Sequence, residues 1–567
     1  MKKRKNIIIS AITCMMSICL MMFGVYAASN PSVSISGQVS YSIHDAKVMV
    51  QGKINGTKEY PTDVDYKKPT NINNLTAGDK LTDSQNQFLN FTTGASLNND
   101  TNDDLGTWNF GNLNFYEDQD GIKTIRISLL VTNLSNYPVK ATLTYSNSYD
   151  NVTIESNKLE AYLAKYDQSK NADADQSLLT NDEFVVELKV TDDSKNASAN
   201  NFSMNIKVEK YSDPDATLDK LTLTYNGTLY ENYGSYGDTV IGATSPQGLQ
   251  KYYLAEIKQD ATGEVVIPAM YNDGEHGDLP VVPGRVNGIL LAAAGLTSGK
   301  EAAEAIASTA IPNVTKVVVN TGVTETQSLA FATMTALESV QLPSSLIYHQ
   351  GGTFGYDTTI SNISLPYGTN ALNTFDFGES GSMGMFTQCQ NLETFWMPDT
   401  VVSAGSGTFA NGDFFGVQTK LKNVRLSQNL QALSADMFGA NQTLGFIEIP
   451  KSVKTIGGNA LRECGSLKIK LNEGLERIES SAFNDTHIDS LVLPSTLNYI
   501  GTGAFTLTIM DKLVVRATTP PQVDGELGST CFSTMVDAKI YVPAGSVEAY
   551  KVAAGWSEFA DKIQAMA

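Results

Sequence analysis

Only four histidines, His44, His276, His349 and His487, supply side chains whose ordinary pKa lies near neutrality, and each stands alone in sequence. None sits in a Ser-His-Asp order or an HExxH pair, and no Gly-rich phosphate loop or Walker pattern occurs. The densest group is Asn272-Asp273-Gly274-Glu275-His276-Gly277-Asp278, where three carboxylates and a histidine could ligate a cation. The interleaved glycines describe a solvated turn better. Acidic pairs such as Asp103/Asp104 and Asp173/Asp175 could in principle serve glycoside hydrolysis. In a chain with 60 Asp and Glu, such a pair is weak evidence. The expectation is a non-enzyme with no catalytic residue, no metal site and no cofactor.

Five cysteines are present. Cys14 and Cys19 fall in the apolar N-terminal run, leaving Cys389, Cys464 and Cys531 far apart with no CxxC spacing. That pattern is neither a disulfide framework nor a zinc site.

The elements that must position any function begin after residue 27. Lys2, Lys3, Arg4 and Lys5 precede the apolar run Ile7 to Val25, and Val25-Tyr26-Ala27 offers a cleavage site. Residues 1–27 therefore read as a signal peptide, with an uncleaved anchor as the alternative. The chain's 40 Lys and Arg less those four leave 36 against 60 Asp and Glu, a net of −24. Such a chain repels phosphate backbones, so nucleic acid is excluded as a partner. The membrane enters only through an uncleaved N-terminal segment.

Residues 28–211 carry period-2 runs. Among them are Val39/Tyr41/Ile43, Ile125/Ile127/Leu129/Val131, Val139/Ala141/Leu143/Tyr145, Phe184/Val186/Leu188/Val190 and Phe202/Met204/Ile206/Val208. Half-buried strands without intervening helices predict an antiparallel β-sandwich. A polar insertion occupies 55–107, and Trp108 re-enters the sheet as a core residue. The segment Val25-Tyr26-Ala27-Ala28, with the strand "VTNLSNYPV" (Val131 to Val139), resembles loosely the exported matrix proteins of Firmicutes biofilms. Residues 212–262 read as a linker with connecting strands.

From 263 to 538 the chain repeats itself. Leu444, Ile447, Ile449, Pro450, Val453, Ile456, Ala460 and Leu461, the last followed by Cys464, return after 44 residues as Ile488, Leu491, Leu493, Pro494, Leu497, Ile500, Ala504 and Phe505. Starts at Val314, Leu337 and Ile360, and again at Leu421, Leu444 and Leu467, are 23 residues apart. Units beginning at Ile360 and Leu392 are longer and carry insertions. Positions one, four and six line the inside of a coil, and stacked coils bury what one alone cannot.

The phrases "LESVQLPSSL", "LGFIEIPKSVKTIGGNALRECGS" and "IDSLVLPSTLNYIGTGAF" resemble the BspA-type leucine-rich repeats of bacterial surface proteins. In that family a unit of about 23 residues ends with Ala-Phe and a Cys. The resemblance makes Cys464 and Cys389 buried apolar plugs, and makes residues 539–567 a terminal cap. There Ser546 would N-cap a short helix whose Tyr550 and Trp556 cover the last coil. The fold class is mainly β: an antiparallel sandwich followed by a leucine-rich-repeat solenoid with a short helical cap.

Positions three and five of each strand point away from the coil interior, offering Gln341, Ser364, Thr394, Trp396, Asn423, Arg425, Phe446 and Glu448 as a binding face. Trp396, Arg425 and Phe446 lie on neighbouring coils as an aromatic-arginine-aromatic group. Packing of Trp396 and Phe446 beneath the insertions is the other reading. The expected function is a secreted or cell-surface protein that recognises an extracellular protein or glycan, as adhesins do. The alternatives are a structural matrix subunit and, with no motif behind it, a glycan-active enzyme.

Overall fold

The computed structural model describes residues 36–40, 47–56, 103–109, 113, 115, 123–146, 149–166, 179–190, 199, 202–225, 249, 251–285, 308–376, 382–410, 420–524 and 539–566. At 36–40, 47, 49, 51, 103–109, 375, 376 and 382 only the backbone is described. The segment 1–27, residues 57–100, His44, Asp173, Asp175, Cys531 and the side chains of Asp103, Asp104 and Trp108 lie outside the described residues. The chain divides into two compact units, Met1–Ser212 and Asp213–Ala567.

In the first unit the alternating runs become β1 (Ser36–Ser40), β2 (Lys47–Asn55), β3 (Asp103–Asn109), β4 (Thr124–Asn133), β5 (Val139–Tyr145), β6 (Val152–Ser156), β7 (Glu160–Leu163), β8 (Asn181–Val190) and β9 (Ser203–Lys210). They form two antiparallel sheets, β1-β2-β4-β8-β6 and β3-β9-β5-β7. Ile125, Ile127, Leu129 and Val131 of one sheet share a single buried cluster with Val139, Ala141, Leu143, Met204 and Ile206 of the other. That shared core makes the unit a sandwich. β3 starts at Asp103, inside the stretch read as insertion, and Asn55 belongs to β2. The turn after Asn133 carries the chain from one sheet to the other. Asn133 anchors it: its side-chain amide donates to the carbonyls of Tyr137 (2.8 Å) and Ala164 (2.9 Å).

The second unit starts upstream of the repeats. β10 (Leu221–Tyr225), β11 (Tyr253–Ile257), β13 (Met270–Tyr271) and β14 (Leu279–Pro283) make one sheet, while β12 (Gly263–Ile267) opens the repeat ladder. Leu221, Tyr253, Ala255 and Ile257, within the segment read as a linker, share one buried cluster with the repeats. Asp213 accepts from the backbone N–H (2.8 Å) and hydroxyl (2.6 Å) of Thr321. These residues close the N-terminal end of the array, which a solenoid requires.

Each coil has three walls. The first is a parallel ladder whose inward residues follow the one-four-six frame, as in Leu444, Ile447 and Ile449, all fully buried. The second is another short parallel ladder, in which Leu433, Ile456, Ile478, Ile500 and Val523 are in register. The third is built from turns around one apolar plug. The N–H of Phe354 bonds to Met385, that of Phe386 to Thr408 and that of Phe438 to Ala460, each on the following coil. Phe386, Phe409 and Phe438 stack with centroids 5.4 and 5.2 Å apart.

The C-terminal cap holds a short α-helix, Val547–Val552. Tyr550 and Trp556 are buried under it and donate to the carbonyls of Ala517 (2.8 Å) and Pro521 (2.9 Å). Ser546 stands at the N-cap without capping. Its hydroxyl donates instead to the Thr518 carbonyl of an earlier coil at 2.7 Å.

Candidate binding face

The outward residues of the first ladder fall into two rows. Register places Thr394 against Asn423, Asn423 against Phe446 and Phe446 against Lys468. Trp396 lies against Arg425 in the other row, and Glu448 against Lys470. A bridge between Asn362 and Thr394 brings Ser364 toward the row of Trp396. Gln341 follows Val318 further up that row. The aromatic-arginine-aromatic group is therefore divided. Trp396 and Arg425 share a row, while Phe446 stands in the row of Asn423. The reason is register, since Phe446 is position three of its unit and Arg425 position five.

Trp396, Phe446, Thr394, Ser364, Gln341 and Glu448 are half-buried, and Asn423 is exposed. Arg425 behaves differently from the expectation. Its side chain is 7% exposed and pairs with Asp399, itself 6% exposed. It also donates to the Met397 carbonyl at 3.2 Å. Arg425 thus holds two coils together under the face and is not offered to a ligand. Asp399 was not legible as its partner, because it is contributed by the preceding, longer coil. Glu448 is paired as well, with Lys470 at 3.0 Å.

The Asn272–Asp278 turn satisfies its own groups. Asp273 accepts from the backbone N–H groups of Glu275 and His276, at 2.8 Å each, and from His276 Nδ1 at 2.7 Å. Those hydrogen bonds hold the Asp273 carboxyl well below the usual carboxylate range. The His276 ring stacks on Tyr225 with centroids 4.0 Å apart. Among the described residues no group of three or more His, Cys, Asp or Glu side chains is placed to hold a metal ion.

His487 pairs with Asp489 at 2.9 Å. His349 is buried in the inward row of the second wall, and burial lowers its pKa to about 4. Cys389 and Cys464 lie three residues after the plugs Phe386 and Leu461, and both are buried. Each thiol donates to the preceding coil's plug carbonyl, at Phe354 (3.0 Å) and Phe438 (3.3 Å). Burial pushes the Cys464 thiol up to about 12 and raises that of Cys389 as well, which makes both inert at neutral pH.

Residues 306–414 and 412–535 match the BspA type leucine-rich repeat region in six copies. Residues 306–535 are a BspA-type leucine-rich repeat region. Solved structures similar to this chain include a leucine-rich repeat protein from Bacteroides ovatus, 16% identical, with TM-score 0.38 over 59% of this chain and 72% of that one. Another is a leucine rich cell surface protein from Faecalibacterium prausnitzii, 17% identical, with TM-score 0.28 over 56% and 91% of the two chains. A leucine rich repeat protein of T. pallidum is 17% identical, with TM-score 0.29 over 45% and 89%. No curated protein matches the chain.

The BspA-type frame explains the thiols. The same position is Asn441, Thr486 and Thr508 in other coils, and each donates to the preceding plug carbonyl, of Phe409, Leu461 and Phe483, at 2.7 to 2.8 Å. In these coils the position takes a small donor, not sulfur chemistry, whereas after the plug Phe331 it is Met334. Sequence reasoning missed the exposed lysines Lys468, Lys512 and Lys539 on the ladder. Register, not numbering, aligns them, since Lys468 stands second in its unit and Lys512 third.

Proposed function

We propose that the protein is an exported binding protein that recognises an extracellular protein or glycan on the first ladder of its BspA-type repeats. The observation that carries this reading is Trp396. It is a half-buried indole on a strand of the ladder, with Arg425 beside it already committed to Asp399. A large amphipathic ring on a fixed support binds with little loss of conformational freedom. Thr394, Asn423, Ser364, Gln341 and Glu448 surround it with hydrogen-bonding groups, and Phe446 adds a second aromatic surface one row away. The basic-then-apolar segment Lys2 to Val25 supports export and display at the cell surface.

The test is a screen of immobilised full-length chain against extracellular-matrix proteins and a glycan array. Trp396→Ala should weaken the strongest interaction about tenfold or more, with thermal unfolding unchanged. A Trp396→Ala chain that binds every ligand as the parent does would remove the basis of this reading. Concentration-dependent fibres without any ligand would favour the structural matrix subunit.

A further inference from the structure

We propose that the last coils of the array bind a linear acidic polysaccharide through a row of lysines on the first ladder. The inference rests on that ladder being the binding surface and assigns a ligand class to its C-terminal end.

The row is set by register. Phe446 lies against Lys468, Ser490 against Lys512 and Lys512 against Lys539. Pairing of Ile540 with Ile563 brings Lys562 next in line. Lys468, Ser490, Lys512 and Lys539 are all exposed. Neighbouring strands are about 4.8 Å apart, so Lys512, Lys539 and Lys562 follow one another along the array axis at about that spacing, with Lys468 beyond Ser490 at a wider gap. An extended 1,4-linked sugar chain advances by a similar distance per residue.

Elsewhere on this ladder the cations face carboxylates. Lys316 pairs with Glu264 at 2.7 Å, Lys422 with Glu393 at 3.6 Å and Lys470 with Glu448 at 3.0 Å. Among the described residues Lys468, Lys512 and Lys539 form no ion pair. Lys512 instead lies 5.4 Å from the centroid of the Tyr541 ring. In a chain with 60 acidic side chains and a net charge of −20, cations set side by side are not explained by supply. Like charges directly across a ladder also destabilise it. An anionic ligand relieves that repulsion.

The adjoining row supplies the rest. Val492, Val514 and Tyr541 are in register and half-buried, forming an apolar strip parallel to the lysines. Such a strip suits the faces of pyranose rings, with their carboxylates over the lysines. Asp489 and Asp511, both exposed, border the lysines on the other edge. They confine a polyanion to the side of the apolar strip and oppose the dense charge of a nucleic acid.

The experiment measures binding of the full chain to polygalacturonate at low and high salt, with dextran and single-stranded DNA as controls. The parent should bind polygalacturonate in a salt-sensitive manner and bind neither control comparably. The Lys512→Gln/Lys539→Gln double variant should bind at least about tenfold more weakly with a shallower salt dependence, because fewer charges are neutralised. Its thermal unfolding should not fall, since repulsion is removed. Trp396→Ala should leave polygalacturonate binding intact. Equal binding by the double variant overturns the inference, as does equal binding of DNA. A chain that holds another ligand through Trp396 but ignores polygalacturonate sinks this inference and leaves the proposed function standing. Lysine-dependent polygalacturonate binding with no ligand at Trp396 does the reverse for the central face.

Discussion

The two carboxylate oxygens of Asp399 lie 3.1 and 3.0 Å from Arg425 Nη2, across two coils of the array. Asp399 Oδ1 also accepts the backbone N–H of Gln428 at 3.0 Å, and the Asp399 carbonyl accepts the side-chain amide of Asn429 at 2.7 Å. The pair therefore splices the irregular coil that carries Trp396 onto the regular coil after it.

Removing one partner should be far worse than removing both. Asp399→Asn leaves the buried guanidinium uncompensated and is expected to cost about 3–5 kcal/mol. Asp399→Leu combined with Arg425→Leu should recover most of that loss. Thermal unfolding of the three chains decides the matter. If Asp399→Asn melts with the parent, the splice has no structural weight.

Asp357 occupies the position three residues after the plug Phe354, where Cys389, Asn441, Cys464, Thr486 and Thr508 act as donors in their own coils. It is fully buried, and its Oδ1 accepts the Met334 N–H at 2.8 Å. Burial raises its pKa well above the usual carboxylate value, against the Arg285 charge, which lowers it. A neutral carboxyl carries a donor beside its acceptors, and Oδ2 of Asp357 has no hydrogen-bond partner among the described residues. The folded state then holds a proton that the unfolded chain releases above about pH 4. This term is fully present below that pH and is lost as pH rises toward the folded value. Asp357→Asn keeps a donor and an acceptor without the proton. It should stabilise the chain at pH 8 by about 1 kcal/mol or more, with a smaller gain at pH 5. Denaturation at the two pH values tests this, and an equal effect at both would sink it.

The parts of this fold legible in sequence are those where one residue type must recur. The frame Leu444, Ile447, Ile449 returns because each coil buries the same positions against the next, and Ile125 to Val131 alternates because one face of β4 meets the opposite sheet. β6 and β7 escaped notice. Val152–Ser156 and Glu160–Leu163 are short edge strands with few buried side chains, so their alternation is weak. The candidate site was half legible. The outward positions were readable from the frame, but Arg425 was misjudged because its partner lies 26 residues earlier in sequence. The lysine row was overlooked because its first unit is one residue short, which shifts Lys468 out of the common numbering.

The cysteines provide a direct check on the repeat frame. Cys464→Thr installs the side chain that Thr486 and Thr508 already use at this position, so it should change stability by less than about 1 kcal/mol. Cys464→Val keeps the shape but removes the donor to the Phe438 carbonyl, and should cost about 1–2 kcal/mol. Maleimide should label neither Cys389 nor Cys464 in the folded chain and both after denaturation. Rapid labelling of the folded chain at either thiol would contradict the plug assignment.

His349 fills a position in the second wall that Leu372, Leu433 and Ile456 occupy in other coils, and its side chain is buried there. Burial lowers its pKa from the ordinary 6.5 to about 4, so the folded array refuses a proton that the unfolded chain accepts. The contribution to stability is therefore fully present above pH 6.5 and falls as pH drops through 6.5 toward 4. The loss at the acid end is about 3 kcal/mol. His349→Leu should abolish this component while leaving the acid response of the carboxylates unchanged. Unfolding free energies of both chains between pH 7 and pH 4 isolate the histidine as the difference between the two curves. Parallel curves over that interval would show that the buried imidazole does not couple folding to pH.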